Sequence, residues 1–400
     1  MNQSRSRSRR VRSSLAAVAI AGVVALLAPA CGSNDASSGC PQRAIAFMGP
    51  ITGSDGANGR SFRSAIETAL SVASESGPLA KCPVGLVSFD TRADPTRAAA
   101  LAEAIAEDPQ IVAVVGPAFS GETAAAMPIL EAAGVPVITA SATNSALGTK
   151  GWRLFHRVVV DDATQAPAAA AFMVDQLAVK SVAVIDDGSL YGKGLADLVA
   201  TALGSRGVVV APRLQIEADR LDYRSAVESV RSLGADAVYF GGVTDPAARL
   251  VRQLRDAGIK ASFVAGDGVF QPEFISLAGN ATRGAIVTCP CTIGGGSSSA
   301  ARDFSRAFER RTGSSPPAYA TEYADATRLV LDAIVNGARS RAQMARALDD
   351  SDVEGITKQL SFDADGQIRS GPVFVFTVTD GSFVQTAAVE RGVVTLTPSN

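Results

Sequence analysis

Two short turns carry hydroxyl groups where chemistry could use them: Ala118-Phe119-Ser120-Gly121 and Thr139-Ala140-Ser141-Ala142-Thr143-Asn144. Each follows a β-branched run, 111–115 and 135–138, and the segment between them has the small apolar residues of a helix that stops at Gly134. In an open parallel α/β sheet, ligands settle beyond the carboxyl ends of the strands, where helix N-termini offer unpaired N–H groups and a positive dipole end. Ser120 and Thr143 therefore read as donors to a small anion such as a carboxylate, or as ordinary helix caps, a position both residue types favour. A third use of Ser120, as a nucleophile, needs a base within hydrogen-bond reach. The chain has one histidine, His156, in an extended segment, and neither a GxSxG elbow nor a clustered metal-ligand pattern. The residues favour binding over catalysis, with no metal or cofactor.

The elements that must hold these turns alternate along the chain. Strands are expected at 44–48, 84–89, 111–115 and 135–138, with helices at 58–75 and 95–106, the latter capped by Asp94. Residues 151–160 read as a crossing out of the first sheet. Helices at 165–177, 194–203, 223–233 and 245–257 then alternate with strands at 181–185, 208–212, 237–240, 261–265 and 284–288. Two further helices, 301–312 and 319–335, come without intervening strands, which suits a return to the first sheet. The tail around Asp380-Gly381 reads as antiparallel strands. The fold class is α/β, with two doubly wound, Rossmann-like lobes joined by a hinge of several crossings.

The N-terminus has a different character. Arg5, Arg7, Arg9, Arg10 and Arg12 precede an apolar run over 15–27, and Ala28-Pro29-Ala30-Cys31 ends it, as in a secretory signal. LLAPAC resembles a bacterial lipobox, which makes Cys31 the expected lipidated residue and places the protein outside the cell membrane, held by lipid alone. Without those five arginines the chain has 32 basic and 39 acidic residues, a net of −7, a poor balance for a nucleic-acid partner. The expected division is a signal at 1–30, a tether at 31–39, the first lobe at 40–158, the second at 159–290, a return to the first at 291–358, and C-terminal strands at 359–400, mainly on the second. Cys40 and Cys82 each precede a strand of the first sheet, which would bring the two thiols to one end as a structural disulfide. Cys289 and Cys291 lie two apart, facing the same side of an extended segment, and read as a small loop disulfide or a redox pair.

Eight segments in order, FMGPITGSDGANG (47–59), FDTRADPTRA (89–98), VVGPAFSGETAAAMP (114–128), ITASATN (138–144), IDDGSLYGKGLA (185–196), YFGG (239–242), AGDGVF (265–270) and TEYADA (321–326), resemble the type I periplasmic binding proteins, in the leucine/isoleucine/valine-binding branch that feeds ABC importers. The resemblance implies the two-lobed fold of that family and a small-molecule ligand, an amino acid, passed to a membrane permease. It further implies that Ser120, Ser141, Ala142 and Thr143 hold the ligand's α-carboxylate, that Tyr191 covers the ligand, and that Asp267 meets the α-ammonium. Asn58 and Val243-Thr244 depart from the aromatic residues of leucine-binding members, with Phe119 and Phe270 as substitutes for an apolar wall or as core. A sensor lobe for a signalling partner, or a receptor for another small solute such as an amide, uses the same fold.

Overall fold

The computed structural model describes residues 42–75, 77–294 and 298–398. The signal segment, the tether, Cys31 and Cys40 lie outside the described residues.

The first sheet is built from β1 (Ala44–Gly49), β2 (Gly85–Asp90), β3 (Ile111–Val115), β4 (Val137–Thr139) and β5 (Phe155–Arg157), in the order β2-β1-β3-β4-β5, all parallel. Every residue of β1 and β3 is buried, as their unbroken apolar sequences require when helices cover both faces of a parallel sheet. The covering helices are α1 (Gly56–Ser74), the short α2 (Pro78–Lys81), α3 (Pro95–Glu107) and α4 (Ser120–Ala132). Asp94 caps α3, its carboxylate accepting from the N–H groups of Thr96 and Arg97.

The second sheet starts after α5 (Asp162–Asp175). It contains β6 (Ser181–Asp186), β7 (Val209–Val210), β8 (Leu214–Gln215), β9 (Ala237–Gly241), β10 (Ser262–Ala265) and β11 (Ile286–Cys289), interleaved with α6 (Leu190–Ser205), α7 (Arg224–Leu233), α8 (Thr244–Asp256) and α9 (Pro272–Ala278). The chain then forms α10 (Ser299–Thr312), α11 (Ala320–Val335) and α12 (Arg341–Asp349). These pack back on the first lobe: α10 and α11 on α1, α11 and α12 on β3. A two-stranded ribbon, β12 (Asp352–Glu354) with β13 (Gln359–Ser361), precedes β14 (Val373–Thr379), β15 (Ser382–Glu390) and β16 (Val393–Leu396). β14 pairs antiparallel with β11, so the last strands finish the second sheet in the order β16-β15-β14-β11-β10-β9-β6-β7.

Two sequence expectations change. The strand expected at 208–212 is two short strands, β7 and β8, both paired with β6, because Pro212 between them has no N–H for the ladder. The segment 151–160 is not a crossing throughout: β5 pairs with β4, putting His156 opposite Ile138 inside the first sheet. The imidazole Nε2 lies 3.0 Å from Asp349 of α12, so this histidine ties a helix to the sheet edge.

The crossings are pinned by buried polar side chains. Arg157 points its guanidinium at the carbonyls of Ala142 (3.0 Å) and Asn144 (2.9 Å) and at the Gln367 amide oxygen. Glu322 on α11 accepts from the N–H (2.8 Å) and hydroxyl (3.1 Å) of Thr292, just beyond Cys289 and Cys291, which are disulfide-bonded and buried. Asp325, one turn along α11, accepts from the N–H groups of Ile356 and Thr357 and from the Thr357 hydroxyl. Cys82 is disulfide-bonded as well.

Candidate ligand-binding cleft

A cavity of about 620 Å³ lies where the carboxyl ends of both sheets face each other, within the range that takes a small ligand. Its walls include three helix starts, α1, α4 and α6, and the turn that follows β10. Each helix follows a parallel strand, so its first-turn N–H groups and positive dipole end are directed at the cavity end of its lobe.

On the first-lobe wall, α4 begins at Ser120 itself. Its cap is Phe119, whose N–H is held by Glu122 (3.0 Å), so Ser120 is the first helical residue, not a cap. The Ser120 hydroxyl accepts from the N–H of Asn144 (3.2 Å), which locks the two hydroxyl turns together. Ser141 also lines the cavity; its hydroxyl donates to the Ala118 carbonyl (2.8 Å) and lies 2.9 Å from the Tyr323 hydroxyl. Ala142 and Thr143 stand behind this wall. The N–H of Ala142 donates to Thr139 (3.1 Å) and its carbonyl accepts from Arg157, while the buried Thr143 hydroxyl lies beside the Asp162 carboxyl.

On the second-lobe wall, Tyr191 sits in the first turn of α6, held by the Ser189 cap, and its hydroxyl donates to Asp267 (2.8 Å) while accepting from the N–H of Gly268 (2.9 Å). The other oxygen of Asp267 accepts from Tyr319, at the start of α11 on the first-lobe side (2.6 Å). Asp267 is thus bound from both lobes by phenols. Burial drives its carboxyl upward, and the two phenol bonds oppose that without cancelling it. The same burial, reinforced by the charge of Asp267, pushes both phenols well above their ordinary range, so they remain donors. Asn144 makes a second bridge between the lobes, donating its amide to the Leu190 carbonyl (2.9 Å).

Three residues that shape this site had no role in the sequence reading. Tyr319 and Phe62 both line the cavity, and the Phe62 ring stacks on Tyr323 with centroids 4.3 Å apart. Asp162, at the start of α5, is fully buried; burial followed by the charge of Asp267 raises it well above the usual range, and the Thr143 hydroxyl beside it opposes that rise. The available signal was the acidic pair Asp161-Asp162 at a helix start, which is also how a plain cap looks; Asp161 is that cap. Phe119, Asn58 and Val243 lie on the lining. Phe270 does not: it stacks on Phe376 at 4.2 Å within the core of the second lobe.

The comparisons with known proteins agree with this architecture. A family model described as periplasmic binding protein matches residues 43–382. The leucine-, isoleucine-, valine-, threonine- and alanine-binding protein of Pseudomonas aeruginosa is 31% identical over 246 residues, covering 62% of this chain and 66% of that protein. An amino acid binding protein of the same organism is 29% identical over 337 residues, covering 83% and 89%. Among solved structures, the leucine binding protein LivK of Thermotoga maritima superposes with a TM-score of 0.80 at 28% identity, over 87% of this chain and 99% of that one. The branched-chain amino acid transporter substrate binding protein LivJ of Streptococcus pneumoniae, in complex with isoleucine, gives 0.79 at 26%, over 89% and 100%. With two α/β lobes facing each other across a cleft and a family match over most of its length, the chain belongs to the periplasmic binding protein family, as a solute-binding protein of the type I, branched-chain amino acid group.

Proposed function

We propose that this protein is a lipid-anchored, extracytoplasmic receptor that closes its two lobes on an amino acid and delivers it to the permease of an ABC importer. The observation that carries the reading is the position of Asp267: a buried carboxylate on the second-lobe wall, opposite the Ser120 helix start on the first. An α-amino acid offers an anion and a cation on adjacent atoms. The α-carboxylate takes the Ser120 and Ser141 hydroxyls and the first amides of α4, with Ala142 and Thr143 supporting the turn from behind. The α-ammonium takes Asp267, covered by Tyr191, with Asp162 buried behind it. Because the two ends of one head group touch different lobes, the ligand binds the closed arrangement better than the open one and shifts the population toward it. The relatives named for amino acids and for branched-chain transport favour the same cargo and the same kind of partner. Anchoring is assigned to Cys31 on the strength of the LLAPAC motif.

Calorimetric titration of the protein with the common amino acids tests the reading. Binding is expected for α-amino acids, with Asp267→Ala weakening it by about a hundredfold or more, as expected when a charged hydrogen bond is lost from a buried site. Unchanged affinity in that variant would remove Asp267 from the site. For the anchor, the wild-type protein made in bacteria should partition into the detergent phase and Cys31→Ser into the aqueous phase; equal partitioning of the two rules the anchor out.

A further inference from the structure

We propose that the cleft selects an amino acid whose side chain ends in a cation, and that Asp55 is the residue that reads that end. The inference rests on the amino-acid reading above and adds the class of side chain. It starts from an odd helix start. Asp55 occupies the N-cap position of α1, where an aspartate ordinarily accepts from the second or third helical N–H, yet its side chain makes no capping bond. It lines the cavity instead, and the bond it makes there is one from the hydroxyl of its exposed neighbour Ser54 (2.8 Å).

The other carboxylates on the lining are occupied. Asp267 holds two phenols, and Glu122 holds the Phe119 N–H and the Thr91 hydroxyl. Asp187 accepts from the N–H and hydroxyl of Ser189 and from the N–H of Val243, and so fastens two second-lobe turns together. Asp55 is the carboxylate left with capacity to spare. Like charges also converge on it across the cleft: Asp187 and Asp245 of the second lobe both raise its proton affinity, after the larger effect of burial. Against Asp55, Glu122, Asp187 and Asp267, the lining offers one guanidinium, Arg92, which is largely exposed and lies 3.7 Å from Asp90, outside the lining.

A leucine side chain would leave this convergence of carboxylates uncompensated, and a glutamate side chain would add to it. A lysine or arginine side chain compensates it, and its methylene stem finds apolar surface on Phe62, Phe119, Leu190 and Val243. Asn58, one helical turn along α1 from Asp55, puts a further polar group on the lining.

Calorimetry with arginine, lysine, leucine and glutamate, on wild type and on Asp55→Asn, decides the matter. Arginine or lysine is expected to bind at least tenfold tighter than leucine, with glutamate weakest. Asp55→Asn should lower the arginine-to-leucine affinity ratio by about tenfold or more, the size expected for one hydrogen-bonded charge pair, and Asp55→Glu should restore part of it. As the side chain caps nothing, the asparagine variant should keep the wild-type melting profile. Leucine binding tighter than arginine, with a ratio indifferent to Asp55, overturns the inference and leaves the amino-acid reading standing. If no α-amino acid binds and another class of solute does, both fall together.

Discussion

At the scale of single residues, the cleft is a place where protons and ligand compete. Glu122 is fully buried, and burial, opposed by its bonds from Thr91 and the Phe119 N–H, leaves its carboxyl at about 7 instead of the ordinary 4.5. An acid whose folded-state affinity for a proton is raised stabilises the fold below its unfolded value, and that contribution is lost as pH rises through the folded value. The thermal midpoint of the ligand-free protein should therefore fall between pH 5 and pH 8. Glu122→Gln should remove a share of that fall worth about 3 kcal/mol at most; an identical pH profile in the variant would exclude Glu122 as a source. Asp162 and Asp267 are raised in the same direction, yet an ammonium ligand needs them ionised. Affinity for an amino acid should consequently rise with pH over the range in which the ligand-free fold becomes less stable, and calorimetry at pH 5.5 and 8 would show it. Asp90, by contrast, lies at the end of β2 and, despite the opposing effect of burial, is held down to about 2 by the Thr52 hydroxyl and the N–H groups of Ile51, Thr52 and Arg92. It fixes the loop that carries Ser54 and Asp55, and it stays charged throughout.

At the scale of elements, helix starts and close approaches decide where the site residues stand. Gly59, in the first turn of α1, lies so near the Pro50 carbonyl that an added β-carbon would fall 1.7 Å from its oxygen. Gly59→Ala must push α1 away from the loop after β1 and carry Asp55 and Asn58 with it. We expect about 2 kcal/mol or more of lost stability together with weakened binding, read by thermal melts and calorimetry, because overpacking a rigid backbone contact is relieved only by moving the element. This scale also explains what the sequence revealed. The strands were legible because buried parallel strands are written as unbroken β-branched runs, and the tail hairpin because Asp380-Gly381 marks its turn. The break at Pro212 and the short helix α12 were harder, since two-residue strands and nine-residue helices carry little periodicity. Among the residues that line the cavity, Ser120, Ser141, Tyr191 and Asp267 stood out in the sequence by motif. Tyr319 could not: it bonds to Asp267 from 52 residues away, and only the return of α11 to the first lobe makes them neighbours.

At the scale of the whole molecule, the passages between lobes are pinned by α11 and by Arg157. The guanidinium is buried among the Ala142 and Asn144 carbonyls and the Gln367 amide, so Arg157→Met should leave those acceptors unpaired and cost about 3 kcal/mol or more. Lysine should not rescue it, because one ammonium cannot reproduce a planar fork; wild-type melting of the lysine variant would contradict that role. The bridges Tyr319–Asp267 and Asn144–Leu190 tie the lobes directly. Tyr319→Phe should weaken ligand binding by about tenfold through loss of one charged hydrogen bond, and X-ray scattering should show a larger radius of gyration at subsaturating ligand. The place of β14 in the second sheet has a consequence for how the chain is made. β11 is synthesised more than eighty residues before β14, the strand that covers its open side. Until β14 leaves the ribosome, β11 is an apolar edge with unpaired backbone groups, and a chain cut short before Val373 keeps that edge for good. The first lobe has its last helix, α12, before β14 is made, so the second lobe is the one completed last. β14 must be made before the second sheet can close, and a product truncated before Val373 should aggregate where the longer chain folds.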